Sequence, residues 1–266
     1  MPLIAFSACA VKETEMKQVP DNERGEAGAG MTITIVYDNN PYDDRLRTAW
    51  GFSCMVRLAE KAVLFDTGGD GSTLLYNMAE LGINPEEIDI LVLSHIHGDH
   101  MGGLTIFLEH NSEVTVYAPV SFPQGLKDEI RLSGAKLREV DEAMELCEGA
   151  FTTGELDGGI KEQSLVLRTP RGLVVITGCA HPGITNIVRK AKEIGNDKVH
   201  LVLGGFHLGG ASVTQIASII EDFDELGVEK VASCHCSGDR AQSLFKEHFD
   251  LNYIECGVGK KIRILE

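Results

Sequence analysis

From Met31 the chain alternates apolar and polar side chains (TITIVYD), the period of a half-buried strand. Two more short strands are predicted at Gly51–Leu58 and Ala62–Phe65, the second ending at Asp66-Thr67-Gly68-Gly69. Ser72–Leu81 has helical apolar spacing, with Ser72 as N-cap and Gly82 as stop. Ile88–Ser94 (IDILVLS) reads as a buried strand around its apolar core Ile90–Leu93, and it delivers the chain into His95. A helix at Gly103–Glu109, a strand at Val114–Ala118 and a helix at Leu126–Leu132 follow. Residues 133–160 give no clear period, because Gly, Asp and Glu interrupt short apolar pieces. Strands at Ser164–Arg168 and Leu173–Thr177 form a hairpin through Pro170-Arg171-Gly172. Helices at Gly183–Ile194, Val213–Leu226 and Asp239–Phe249 then alternate with strands at Val199–Leu203, Lys230–Cys234 and Tyr253–Glu255. A strand-rich first half and an alternating second half predict an α/β domain of two sheets with helices outside.

Residues 11–30 are polar and aperiodic, so 1–30 reads as a flexible leader and 31–266 as the folded domain. A chain of 266 residues buries roughly three quarters of its surface and needs no disulfide staples. Its seven cysteines are odd in number and scattered, which fits reduced thiols or metal ligands. The reading is therefore cytoplasmic, with a trimmed signal or lipoprotein remnant around Cys9 as the alternative. No apolar run reaches the roughly 20 residues of a membrane span. The formal net charge of −16 opposes nucleic-acid phosphates, so no nucleic acid is expected. A small-molecule substrate is the remaining expectation, and the oligomeric state is left open.

The chemistry concentrates in Ser94-His95-Ile96-His97-Gly98-Asp99-His100. His95 and His97 are two apart and project to one side of an extended segment. Gly98 lets the backbone turn, so Asp99 and His100 can face a second metal close by. Imidazole and carboxylate suit Zn, with Fe or Mn as alternatives. A chance polar loop needs no such density directly after a buried strand. Asp66 ends its own strand nearby, as an acceptor for a ligand imidazole or simply as a turn residue. Gly68-Gly69-Asp70-Gly71 lacks the ending of a phosphate loop, and no Gly-x-Ser-x-Gly elbow is present.

His-x-His-x-Asp-His after a hydrophobic strand, followed by Gly102-Gly103-Leu104 and preceded by Leu64-Phe65-Asp66-Thr67-Gly68, resembles the metallo-β-lactamase superfamily. The resemblance covers residues 31–266. It implies a four-layer αβ/βα sandwich of two mixed β-sheets with helices on the outer faces, and a metal site, usually dinuclear, at one edge. Four further segments match one branch of it: Asp38-Asn39-Asn40, Thr177-Gly178-Cys179-Ala180-His181, Gly204-Gly205-Phe206-His207 and Cys234-His235-Cys236-Ser237-Gly238. That branch is dihydropteroate-synthase-like, similar to a 7,8-dihydropterin-6-yl-methyl-4-(β-D-ribofuranosyl)aminobenzene 5′-phosphate synthase of methanopterin assembly.

By this resemblance the ligands are His95, His97, Asp99, His100, His181 and His235. The superfamily usually has a bridging Asp where Cys179 stands, and an upstream His where Glu162-Gln163-Ser164 stands. His181 is then expected to replace the missing imidazole. Cys179 is read either as a ligand or as a packing residue near the metals, the second being preferred. Cys234 and Cys236 are read as packing residues, since a Cys-x-Cys zinc site would need two more soft ligands. His207 ends a strand and is open to several roles: ligand, substrate-binding group, proton donor or core histidine. It is expected to face substrate.

The resemblance implies a hydrolase whose nucleophile is a metal-bound hydroxide, held and oriented by Asp99, with one or two divalent metal ions. The branch points to an alternative on the same site, a transferase that condenses a pterin diphosphate. Arg45, Arg47, Arg168 and Arg171 are the candidates nearest in sequence to hold phosphates. The superfamily's di-iron oxidoreductases carry a carboxylate at the position of His97 and a fused flavin domain, so redox chemistry is disfavoured. A structural metal site is closed by four ligands, whereas this constellation offers at least six.

Overall fold

A computed structural model describes residues 30–265. The expected leader, up to residue 29, and Cys9 within it lie outside the described residues. Seven strands form the first sheet: β1 (Met31–Tyr37), β2 (Ser53–Arg57), β3 (Ala62–Phe65), β4 (Ile90–Val92), β5 (Thr115–Pro119), β6 (Lys136–Val140) and, from the far end of the chain, β13 (Lys261–Ile264). Their order is β13-β1-β2-β3-β4-β5-β6. The second sheet contains β7 (Glu142–Cys147), β8 (Ala150–Gly154), β9 (Leu165–Thr169), β10 (Gly172–Thr177), β11 (Val199–Gly205) and β12 (Val228–Cys234), in the order β12-β11-β10-β9-β8-β7. Both sheets are mixed: β3 through β6 run parallel, as do β10 through β12, and the remaining pairings are antiparallel.

The period of two decides which side chain goes where. Val63 and Phe65 of β3, Val174 and Ile176 of β10, and Leu201 and Leu203 of β11 meet in the core between the sheets. Their alternates on the first sheet, such as Leu64 and Leu91, pack under α1 (Gly71–Glu80), α3 (Leu104–His110) and α4 (Gln124–Leu132). On the second sheet Leu173, Val175 and Val202 pack under α5 (Ile184–Gly195), α6 (Val213–Leu226) and α7 (Asp239–Phe249). Both faces are covered, so the central strands read as unbroken apolar runs. Truncating Ile176 to Ala would leave a cavity costing about 2–5 kcal/mol. The result is an α/β sandwich of two mixed sheets with helices outside.

Local differences from expectation have clear causes. Asp70, not Ser72, caps α1: its carboxylate accepts from Thr73 N at 2.8 Å and occupies Ser72 Oγ as well. The aperiodic stretch 133–160 contains three strands, β6 to β8. Most of β6 and β7 is exposed at the sheet margins, so no buried face imposes alternation. Tyr253–Glu255 is not a strand, because only one bridge, Val231 to Tyr253, forms there. The C-terminal strand is Lys261–Ile264, which pairs with β1. No described helix is long and apolar enough to cross a membrane.

Candidate metal centre

Five strands of the two sheets end at one rim: β3 before Asp66, β4 before His95, β10 before Cys179, β11 before His207 and β12 before His235. A short helix α2 (Gly98–Met101) then carries Asp99 and His100. Among the described residues, six non-glycine residues have positive φ, and four stand here: Asp66, Ala180, His207 and His235. Each leaves its strand through the left-handed region, which is costly enough to persist only where the surroundings fix it.

Asp66 organises the first half of the site without exposure to solvent. Its Oδ1 accepts from Ser94 N at 2.7 Å, and its Oδ2 accepts from Ser94 Oγ and from His100 Nδ1, both at 2.7 Å. The Ser94 hydroxyl has thereby spent its proton, so at 2.9 Å it must accept from His95 Nδ1. Both imidazoles are thus held with Nδ1 protonated and the Nε2 lone pair turned inward. A Cβ on Gly178 would stand 2.3 Å from Ser94 Oγ, so only glycine admits this packing.

Asn39 does the same for His235: its Oδ1 accepts from His235 Nδ1 at 2.9 Å, and its Nδ2 donates to His235 O. His100 Nε2 and His235 Nε2 consequently turn their lone pairs toward each other, the two nitrogens being 3.2 Å apart. Asp99 Oδ2 lies 3.4 Å from His235 Nε2 and 3.7 Å from His100 Nε2, while Cys179 Sγ is 3.2 Å from His100 Nε2. These four donors form one group; His95, Cys179 and His181 form a second; Cys179, His207 and Cys236 form a third. His97 Nδ1 is 3.1 Å from His95 Nε2, and its ring is 4.9 Å from that of His181. The structure therefore brings all six sequence-predicted histidine and aspartate ligands to one rim. Cys179 belongs to every group. His181 Nε2 is buried with no hydrogen-bond partner.

The electrostatics follow from the crowding. Burial, then the neighbouring His100, His181 and His97, push His95 far below an ordinary imidazole. Burial and His207 push His181 down to about 4. Burial resists ionisation of Asp99, yet the neighbouring His235 and His100 outweigh it and hold the carboxyl low. Burial opposes a charge on His100 too, but Asp66 raises it. His207, at the exposed edge, is raised by its hydrogen bond to Cys236.

Several residues here escape sequence reasoning. Glu162, fully buried between β8 and β9, accepts from Thr177 Oγ and from the N–H groups of Gly178, Cys179 and Ala180 on Oε1, and from His181 N on Oε2. It holds the loop that carries Cys179 and His181, a role in place of the imidazole expected at this segment. Next to it, Gln163 Nε2 donates to Leu93 O and Tyr117 O, pinning the second sheet to β4 and β5 of the first. Trp50, the chain's single tryptophan, is 60% exposed and tilted against His235 at 5.0 Å. Cys236, expected only to pack, has its Sγ 3.3 Å from Cys179 Sγ.

Two of the candidate phosphate arginines lie away from this rim, and the other two have side-chain partners of their own. Arg168 lies over the Phe151 ring, and Arg171 is in the hairpin at the opposite end of β10 from Cys179. Arg45 is paired with Asp43 and Arg47 covers the Tyr76 ring.

Comparison with known proteins agrees with this geometry. Residues 51–191 match the family described as the metallo-beta-lactamase superfamily. The chain is 32% identical over 279 residues to the 7,8-dihydropterin-6-methyl-4-(beta-D-ribofuranosyl)-aminobenzene-5'-phosphate synthase of Methanocaldococcus jannaschii, covering 86% of this chain and 95% of that protein. The crystal structure of Tm1679, a metal-dependent hydrolase of the beta-lactamase superfamily, superposes with a TM-score of 0.75 at 31% identity, over 89% of this chain and all of that one, its coverage being 100%. The metallo-beta-lactamase fold protein YhfI from Bacillus subtilis shares the fold at a TM-score of 0.66 and 13% identity, over 87% and 99% of the two chains.

Proposed function

Because this chain belongs to the metallo-beta-lactamase superfamily, and is thus an enzyme of that superfamily, we propose that it is a metal-dependent hydrolase with two adjoining divalent cation sites. His95, His97 and His181 hold one cation; Asp99, His100 and His235 hold the other. Zinc is the first choice for this donor set, with iron or manganese as alternatives. The observation that carries the reading is the pair of lone pairs on His100 Nε2 and His235 Nε2, fixed by Asp66 and Asn39 at 3.2 Å. Two such lone pairs repel unless a positive centre joins them. Tetrahedral zinc with ligands at about 2.0–2.3 Å has donor–donor separations of about 3.3–3.8 Å. The contacts of 3.2, 3.4 and 3.7 Å among His100, His235, Asp99 and Cys179 fit that spacing.

The position of the Cys179 thiol in both ligand groups favours a shared thiolate donor over the packing role expected from sequence. Bound metal would supply water acidified toward neutrality and polarisation of a carbonyl or phosphoryl oxygen. The chain's own residues do the rest. Asp66 and Asn39 keep three imidazoles in the binding tautomer. Asp99 offers a carboxylate oxygen toward the nucleophile, and exposed His207 stands where it can give a proton to the leaving group. Residues 31–266 act as one domain in this reading, its two ends joined by the β1–β13 pairing.

A second reading, a transferase that condenses a pterin diphosphate, is favoured by the similarity to the Methanocaldococcus jannaschii synthase along 95% of that protein. With Arg168 and Arg171 at the far end of β10, the cations and His207 would meet the diphosphate. Purified protein should contain one to two equivalents of metal; none after growth in metal-replete medium would sink both readings. Diphosphate release from a pterin diphosphate, dependent on an aminobenzene riboside phosphate, would select the transferase. Turnover of phosphodiesters, lactones or thioesters in water alone would select the hydrolase.

A further inference from the structure

Cys179 and Cys236 follow β10 and β12, the two neighbours of β11 in the second sheet. Between them β11 ends in Gly205, where a Cβ would stand 2.7 Å from Cys236 Sγ. The missing side chain lets the two thiols meet across the strand at 3.3 Å. Both are free thiols. Cys179 is also a member of the two donor groups assigned to the cations, whereas Cys236 belongs to neither and has His207 as its other neighbour. A residue needed only to fill space would not have to be a second sulfur aimed at the first.

We propose that Cys179 and Cys236 form a reversible dithiol–disulfide couple, oxidised by a peroxide, that withdraws the Cys179 sulfur from the metal centre. Cys236, at 9% exposure against 3% for Cys179, lies nearer solvent, beside exposed His207. Its thiol takes one oxygen from hydrogen peroxide, giving a sulfenic acid and one water. The Cys179 sulfur then attacks the sulfenic sulfur; the S–S bond forms, the S–O bond breaks, and the hydroxyl leaves as a second water, taking the proton of a Cys179 thiol or, where the sulfur is a metal-held thiolate whose bond to the cation breaks, a proton from solvent. Closing from 3.3 Å to the roughly 2.05 Å of a disulfide needs about 1.3 Å of movement. A low-molecular-weight dithiol reverses the reaction, becoming a disulfide as it restores both thiols. The couple itself is independent of the proposed function; only its consequence, metal release, rests on it.

The test treats the metal-loaded full chain with hydrogen peroxide, blocks remaining thiols by alkylation and maps peptides by mass spectrometry, while a chromophoric chelator follows released metal. The expected result is a Cys179–Cys236 crosslinked peptide, loss of two free thiols per chain, and metal release that dithiothreitol and added metal reverse. Cys236→Ser and Cys236→Ala should load metal normally, form no such peptide and release metal more slowly under peroxide. Recovery of Cys179 as a sulfinic acid without the crosslink would overturn the proposal, as would a wild-type rate of release from both variants. The wild-type peptide map decides even if the variants fold poorly. A crosslink in a chain that never takes up metal would overturn the proposed function and leave the couple standing.

Discussion

Asp66 and His100 share a 2.7 Å contact between Oδ2 and Nδ1, with neither side chain exposed to solvent. The same carboxylate reaches His95 through Ser94, so one residue sets the tautomer of two imidazoles on different sides of the proposed metal centre. Asp66→Asn keeps the size but puts an amide where two donors point. Metal affinity, measured by competition with a chromophoric chelator, should fall about 10–100-fold, the usual loss when a partner of a ligand histidine is removed. Unchanged affinity would refute this role.

Glu162 carries a different load, because five donors converge on its two oxygens. Glu162→Ala should destabilise the fold by at least about 3 kcal/mol, since buried N–H groups lose their acceptor. Glu162→Gln turns one amide against the His181 N–H and should cost about 1–3 kcal/mol. Denaturant titration of the two variants checks the order. A Glu162→Gln variant as stable as the wild type would show that Glu162 only fills volume.

Cys179 separates a ligand from a spacer. If its thiolate is shared by both cations, Cys179→Asp should retain metal, because a carboxylate replaces it, and Cys179→Ala should lose at least part. If it only packs, Ala should be nearly silent and Asp should destabilise by burying an unpaired charge. Metal analysis and a melting curve on each variant distinguish the cases.

His207 is the complementary case. His207→Ala should leave metal content unchanged and depress turnover, as for a group that hands over a proton. Loss of a metal equivalent in that variant would make it a ligand instead.

Removing metal should lower the melting temperature, and restoring it should raise the temperature in proportion to the logarithm of free metal, as for any ligand that binds only the native state. A melting curve that ignores a strong chelator would count against cations bound between the two sheets.

The sequence carries its chemistry unevenly. His95 through His100 are legible because the donors crowd into one short segment after a buried strand, and local density survives in one dimension. Central strands such as β10 are legible for the same reason, being apolar on both faces. β6 and β7 are not, since their exposed margins impose no pattern. Asn39 and Cys236 lie far along the chain from the groups they serve, Asn39 and His235 being 196 residues apart, and Glu162 reaches its donors only across the packed strands. Their roles exist only once the sheets are packed, and no spacing announces them. Arg168 and Arg171 show the reverse error, in which nearness along the chain suggested a site that the length of β10 removes.

Positions 95 to 100 belong to the first sheet, and 179, 181 and 235 to the second, with Gln163 bonded across the seam to Leu93 and Tyr117. Neither half can assemble the donor set by itself. High-affinity cation uptake should therefore arise late in refolding, after the slow long-range closure of one half on the other. A metal-sensitive dye added during refolding would then serve as a clock for the last step of the folding reaction.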